Sequence, residues 1–287
     1  MPYAAVNGVK LYYEEAGSGF PIVFAHEYSG DYRSWADQVR HFARRYRCIV
    51  YNARGFPPSD TPEDLEAYSQ DISVADMAGL MRHLGISQAH VVGLSMGSMT
   101  TLHFGRLHPD MARSLVIAGT GPGDTQRAKD RFESETANFI SDIEGTGWAT
   151  VAADYGTSDD RVQLQTKNPL GYAAFTEQLG ARQLNGPLQV LRRVVSGRPL
   201  LDDLADEFRA MRVPTLIATG DEDHVCIGTS FYLKRLLPVA GLQIFPKCGH
   251  TINLEEPEAF NRALADFFTA VEEGRWPETP PASRSQY

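Results

Sequence analysis

The sequence is short of the features that mark several protein classes. It holds only three cysteines, Cys48, Cys226 and Cys248, and they lack the spacing of a metal site or a disulfide framework. That scarcity suits a reducing, cytoplasmic setting. No apolar run approaches the length of about 20 residues that a membrane-spanning helix needs. Met1-Pro2-Tyr3-Ala4 offers neither a charged n-region nor an apolar h-region, so no signal peptide is expected. Basic residues are outnumbered, 27 Lys and Arg against 36 Asp and Glu, for a net charge of −9. This balance argues against non-specific nucleic-acid binding and against an anionic membrane surface. There is no H-E-x-x-H and no glycine-rich phosphate loop, so neither a metal nor a cofactor is expected.

What is present is organised around Ala89-His90-Val91-Val92-Gly93-Leu94-Ser95-Met96-Gly97-Ser98-Met99. Val91 to Leu94 read as a strand covered on both faces. A hard turn follows, then an amphipathic helix that stops before Pro109. Gly93 and Gly97 flank Ser95 in the pattern G-x-S-x-G, where a tight turn leaves no room for side chains two residues away. The N-terminus of the following helix aims free N–H groups at the serine. A serine hydroxyl is a weak nucleophile and needs a base and an oxyanion site.

Around this stretch, short apolar runs alternate with helical periods. Strands are expected at Tyr3 to Val6, Val9 to Glu15, Pro21 to Ala25, Cys48 to Asn52, Leu115 to Ala118, Val213 to Thr219 and Leu242 to Phe245. Asn7-Gly8 is a hairpin signal. Helices are expected from about Tyr32 to Arg44, from Asp71 to Leu84 with Ile72, Ala75, Leu80 and Leu84 on one side, from Gly228 to Leu237, and from Pro257 to Gly274. The last should bury Phe260, Leu264, Phe267 and Val271. This rhythm implies an α/β fold, a mostly parallel central sheet flanked by helices. From 122 to 206 no buried strand is visible, and the helical period broken by Gly and Pro reads as an inserted cap over the sheet edge. The core is thus 1–121 and 207–273, with a loosely docked or disordered tail at 274–287.

Two loops complete a nucleophile. Gly220-Asp221-Glu222-Asp223-His224 follows one strand, and Lys247-Cys248-Gly249-His250-Thr251 follows the last. The order serine, acid, histidine makes His250 the base for Ser95. His41, His83, His103 and His108 fall on helices and read as surface or capping residues. His90 starts its strand at the wrong end of the sheet, and His224 precedes the last strand. Cys48 reads as a small core residue. Cys226 and Cys248 lie near the proposed catalytic loops but lack an elbow or an evident base.

These motifs resemble the α/β-hydrolase fold superfamily, over nearly the whole chain from Val6 to Phe268. The resemblance implies a Ser95, Asp223, His250 triad, with Asp223 preferred to Asp221 through the pattern G-x-x-D. It implies an oxyanion hole of two backbone N–H groups, Met96 and Tyr28. The family's His-Gly-x is here His26-Glu27-Tyr28, a departure that places a carboxylate by the pocket, turned to solvent or paired with Arg33 or Arg54. His26 is expected to bond loop backbone. Asn52-Ala53-Arg54-Gly55 resembles the family's Asp-x-Arg-Gly loop, which makes Arg54 an ion-pair partner or a carboxylate receptor in the substrate pocket. Phe56, Trp35 and Trp148 are pocket or core aromatics. A serine at the elbow argues against dehalogenase and epoxide-hydrolase chemistry, which uses aspartate there. The expectation is a cytoplasmic serine hydrolase acting on a small ester or lactone. The alternatives are a carbon–carbon hydrolase of ring-fission products, a cofactor-free haloperoxidase, and a small-molecule receptor on the same scaffold. Its partner is a small-molecule substrate, and homo-oligomer formation is compatible with the sequence.

Overall fold

The computed structural model describes residues 2–159 and 161–279. Eight strands form one sheet in the order β1-β2-β4-β3-β5-β6-β7-β8. They are β1 (Tyr3–Val6), β2 (Val9–Ala16), β3 (Pro21–Ala25), β4 (Arg47–Tyr51), β5 (Ala89–Leu94), β6 (Ala112–Ala118), β7 (Thr215–Gly220) and β8 (Ala240–Phe245). β1 pairs antiparallel with β2, and β2 with β4, while every other pairing is parallel. Asn7 and Gly8 take positive φ at the β1–β2 hairpin, as their sequence requires.

The central strands β5 and β7 are buried along their whole length, and alternate residues of the sheet feed two cores. Val23, Val91, Leu115 and Ile117 enter the core beneath α2 (Gln70–His83) and α3 (Met96–Leu107). Phe24, Val92, Val116 and Ala118 enter the other core, against α12 (Pro257–Glu272). The helix expected at 32–44 is a 3₁₀ turn, Tyr32–Trp35, followed by α1 (Ala36–Phe42). Asp31 caps that turn, and its carboxylate holds Arg33. The face of α2 differs from the expected one. Val74, Met77, Ala78, Leu80 and Met81 are buried, while Ile72, Ala75 and Leu84 are only partly covered. Helix α2 packs on α3 and β1 together, so its buried stripe is wider than one helical row. The expected face of α12 is buried as read.

Between β6 and β7 the chain is helical: α4 (Gln126–Thr146), α5 (Trp148–Gly156), α6 (Val162–Lys167), α7 (Pro169–Gly180), α8 (Asn185–Val190) and a π-turn at Leu191–Val195. A third apolar cluster joins this insertion to Tyr28, Phe56, Tyr68 and Met96 of the sheet edge. The boundary expected at 206 falls inside α9 (Ala205–Ala210), where Leu201, Ala205 and Phe208 already belong to the core under the sheet. α10 (Ile227–Leu236) and the short α11 (Ile252–Glu255) follow β7 and β8. The tail is docked as far as it is described. Trp276 donates to Val239 O at 3.0 Å and packs edge-on against Phe267, 4.7 Å between ring centroids. Residues 280–287 lie outside the described residues. Among the described residues no helix is long and apolar enough to cross a membrane.

Candidate active site

Ser95 sits at the junction of β5 and α3 with φ 55° and ψ −114°. For a residue with a Cβ this is a strained conformation, held because both flanks are fixed. Its own N–H donates to Ala118 O at 2.8 Å. A Cβ at Gly93 would stand 2.1 Å from Gly97 O, and one at Gly97 would stand 2.1 Å from Ala25 O. The glycines are therefore demanded by the packing of strand on helix, as G-x-S-x-G implies. Among the described residues no acceptor takes the N–H of Met96 or of Tyr28. These are the donors expected for an oxyanion.

The acid and base loops lie across the ends of β7 and β8. A Cβ at Gly220 would fall 2.0 Å from Cys248 O, so only glycine lets the two loops close on each other. Asp223 is fully buried, and its Oδ2 accepts from His250 Nδ1 at 2.8 Å. Asp221 is exposed and instead accepts from the Cys248 N–H at 3.2 Å. Burial alone would push the His250 imidazole down. The Asp223 charge and hydrogen bond overcome that and hold it well above its ordinary value. The His250 loop is pinned by Glu255, which accepts from Gly249 N at 2.6 Å, Thr251 N at 3.0 Å and Thr251 Oγ1 at 2.9 Å. Sequence reasoning assigned Glu255 no part in this. The signals were its place in Glu255-Glu256-Pro257 after Gly249-His250, and its spacing of four residues from Thr251, one helical turn on.

Ser95 and His250 border one cavity of about 280 Å³, together with Tyr28 and Met96. Part of its wall comes from the helical insertion, including Phe139, Tyr155, Arg161 and Leu191. Cys226 also borders it, with Sγ 3.7 Å from His250 Nδ1 and 3.4 Å from Gly119 O. Burial drives the Cys226 thiol up to about 12, so it stays neutral beside the imidazole. Cys248 and Cys48 are buried as well. Asp223, Cys226 and His250 bring three ligand-type atoms within 4.8 Å of one another, but the Asp223–His250 hydrogen bond already occupies the pair.

Four residues expected near the substrate lie elsewhere. The Arg54 guanidinium forms a two-pronged ion pair with Asp76, at 2.8 and 2.9 Å, and donates to Asn7 O at 3.0 Å. Its Nε and Nη2 are thus spent on the Asp76 carboxylate and the Asn7 carbonyl, away from Ser95 and His250. His26 accepts from Ala53 N at 3.0 Å through Nε2, while Nδ1 lies 2.7 Å from Glu27 O. Both ring nitrogens are thus spent on loop backbone, and burial lowers its pKa to about 4. Trp148 donates to Leu179 O at 2.7 Å inside the insertion's own core. Glu27 is 1% exposed, and its partner is neither Arg33 nor Arg54 but Arg161 of the insertion, at 3.1 Å. Trp35 and Phe56 are core aromatics.

The remaining histidines separate by burial. His224 is exposed. His103, expected at the surface, is fully buried against Phe208 on the inner face of α3, with neither ring nitrogen hydrogen-bonded among the described residues. His90 is buried too, bonded to Ser114 Oγ at 2.7 Å and stacked on Phe268.

A mostly parallel sheet thus carries a strained serine at a strand–helix turn, with a buried acid–histidine pair on later loops. The chain belongs to the alpha/beta hydrolase fold family, whose pattern it matches over residues 21–257. It is a hydrolase of that family. A Synechocystis sp. protein bearing the provisional name non-heme chloroperoxidase is 28% identical, over 93% of this chain and 99% of its own. A Paraburkholderia xenovorans protein named 2-hydroxy-6-oxononadienedioate/2-hydroxy-6-oxononatrienedioate hydrolase is 25% identical, over 90% of each chain. The solved enol-lactonase from Burkholderia xenovorans LB400 has the same fold, with a TM-score of 0.81 and 23% identity over 93% of this chain and 100% of that one.

Proposed function

We propose that the protein is a serine hydrolase that cleaves a small ester or lactone through an acyl-enzyme. The observation that carries this reading is the meeting of strained Ser95 and the buried Asp223–His250 pair on one cavity. In this mechanism Ser95 Oγ attacks the substrate carbonyl carbon as its proton passes to His250 Nε2. Asp223 fixes the imidazole tautomer and stabilises its charged form. The N–H groups of Met96 and Tyr28 receive the oxyanion. The intermediate collapses, the C–O bond to the leaving group breaks, and His250 returns its proton to that oxygen. Water, deprotonated by His250, then releases the acid and frees Ser95. The helices between β6 and β7 act as a cap that excludes bulk water and shapes the acyl pocket.

The test is a p-nitrophenyl ester series with a fluorophosphonate probe, run beside Ser95→Ala. Labelling and a burst that vanish in the variant are expected, with kcat lower by roughly 10⁶. Full turnover in Ser95→Ala would overturn the proposal. The relative named as a dienedioate hydrolase supports a second reading, in which the same triad breaks a carbon–carbon bond beside a ketone. Covalent labelling of Ser95 without turnover of any simple ester would favour that second reading or a receptor role.

A further inference from the structure

The cavity that holds Ser95 also holds a cation with little to pair with. Arg198 follows the π-turn at Leu191–Val195, is 5% exposed, and borders the cavity with Ser95 and His250. It donates to Pro122 O, and its guanidinium lies over the Phe132 ring, 4.4 Å from the centroid. Among the described residues no carboxylate forms an ion pair with it. The other charges of the wall are taken. Glu135 is held by Arg131, Arg161 by Glu27, and His250 by Asp223. Glu133, the acid whose field reaches Arg198, is paired with Lys129. Burial lowers Arg198 to about 10, which leaves it charged at neutral pH.

A guanidinium carries five N–H donors and keeps its charge when buried. Leaving such a group with one carbonyl and a ring face is costly unless an anion arrives. We propose that Arg198 is the seat for a carboxylate on the substrate, remote from the carbonyl that Ser95 attacks. Among the described charges of this wall, Arg198 is the cation without a carboxylate partner, and a single uncompensated positive charge matches one negative charge, which favours a carboxylate over a doubly charged phosphate. Met99, Phe139, Leu191 and Val194 also line this cavity and suit the hydrocarbon between the two ends. The substrate class is then a monoester or lactone of a dicarboxylic acid, with its second carboxylate free. This inference rests on the serine-hydrolase reading.

The experiment compares p-nitrophenyl hemiesters of succinic, glutaric and adipic acid with neutral p-nitrophenyl esters of matching chain length. The readout is the kcat/KM ratio of anionic to neutral ester within each variant, with Ser95→Ala as background. A ratio of about tenfold or more is expected at one chain length, falling to about one in Arg198→Met and partly restored in Arg198→Lys. A role confined to holding Pro122 would lower both esters alike and leave the ratio unchanged. An unchanged ratio in Arg198→Met, or no wild-type preference at any length, overturns the proposal. If neutral esters are inert and Ser95 takes no fluorophosphonate, it is the hydrolase reading that fails. The seat is then judged by the Tm of Ser95→Ala with glutarate. A rise that Arg198→Met abolishes supports the seat. No rise, or an equal rise with inorganic phosphate, overturns the carboxylate assignment.

Discussion

The sheet edge and the helical insertion reach the same cavity by different means. At the sheet edge, side chains are positioned by backbone. Ser95 is fixed by a turn with no room for a Cβ on either flank, and Asp223 and His250 by loops that touch at Gly220. The insertion is held down by its apolar cluster and, beside it, by charged side chains. Arg161 meets Glu27, Arg182 donates to Tyr28 O and, at 2.7 and 2.9 Å, to Ser29 O and Gly30 O, and Lys167 meets Glu256 at 2.5 Å. The contrast teaches that backbone geometry places the serine, acid and histidine, while apolar packing and polar contacts between distant segments set the enclosure. Both sets meet on the loop after β3, where Tyr28 offers its N–H beside the Glu27–Arg161 pair.

The largest expected effect tests the sheet edge. Asp223→Asn should lower kcat by about 10⁴, because the amide cannot fix the tautomer or offset the imidazolium charge. It should also shift the pH profile. In the proposed mechanism His250 serves as a base only when neutral, and its pKa is held above the ordinary value. Wild-type activity should therefore rise with pH through a limb above pH 6.5. Among the described residues Asp223 is the charged group bonded to the imidazole, since Cys226 stays protonated, so the residual limb should move down in Asp223→Asn. A limb unmoved in that variant would mean that the pair does not govern the base.

Next in size is the tie between the regions. Arg161→Met should cost about 3–5 kcal/mol in urea unfolding, because it strands a buried Glu27 carboxylate. Arg131→Ala, which breaks the exposed Arg131–Glu135 pair on α4, should leave the unfolding midpoint unchanged. Equal effects from the two would erase the distinction between holding the insertion down and decorating it.

The smallest effect concerns acid stability of the core. Burial drives His103 down to about 3, with Arg106 and Arg198 adding to the effect and Phe208 packed on its ring. The folded ring is neutral while the unfolded one protonates below pH 6.5, so His103 costs stability as pH falls through the window from 6.5 to about 3. The slope is at most about 1.4 kcal/mol for each pH unit. His103→Leu should flatten the difference in urea stability between pH 7 and pH 5. An unchanged difference would show that the ring finds water or a partner when folded.

Much of the sheet edge was legible because its signals are local. A strand buried on both faces reads as an apolar run, the elbow as two glycines two residues from a serine, and His250 as the histidine after the last strand. Glu27 shows where this local reading stops. Its sequence neighbours suggested Arg33 or Arg54, but its partner lies 134 residues away. Nothing local marks Arg161, Arg182 or Arg198 as buried, since each stands in a polar helical stretch and bonds far along the chain, to Glu27, Tyr28 O and Pro122 O respectively. His103 looked exposed because a helix covered by α9 on one side has the same spacing as one facing water.

The sequence by itself determined the strand and helix order, the alternation that fills two cores, and which residues could form a serine, acid and histidine set. Those features depend on side-chain periodicity and on turn residues within a few positions of one another. The tertiary structure decided what encloses the serine, which charges are buried and paired, and which cation is left facing the cavity. These depend on segments far apart in the chain meeting in a low-dielectric interior, where a charge must find its partner across space.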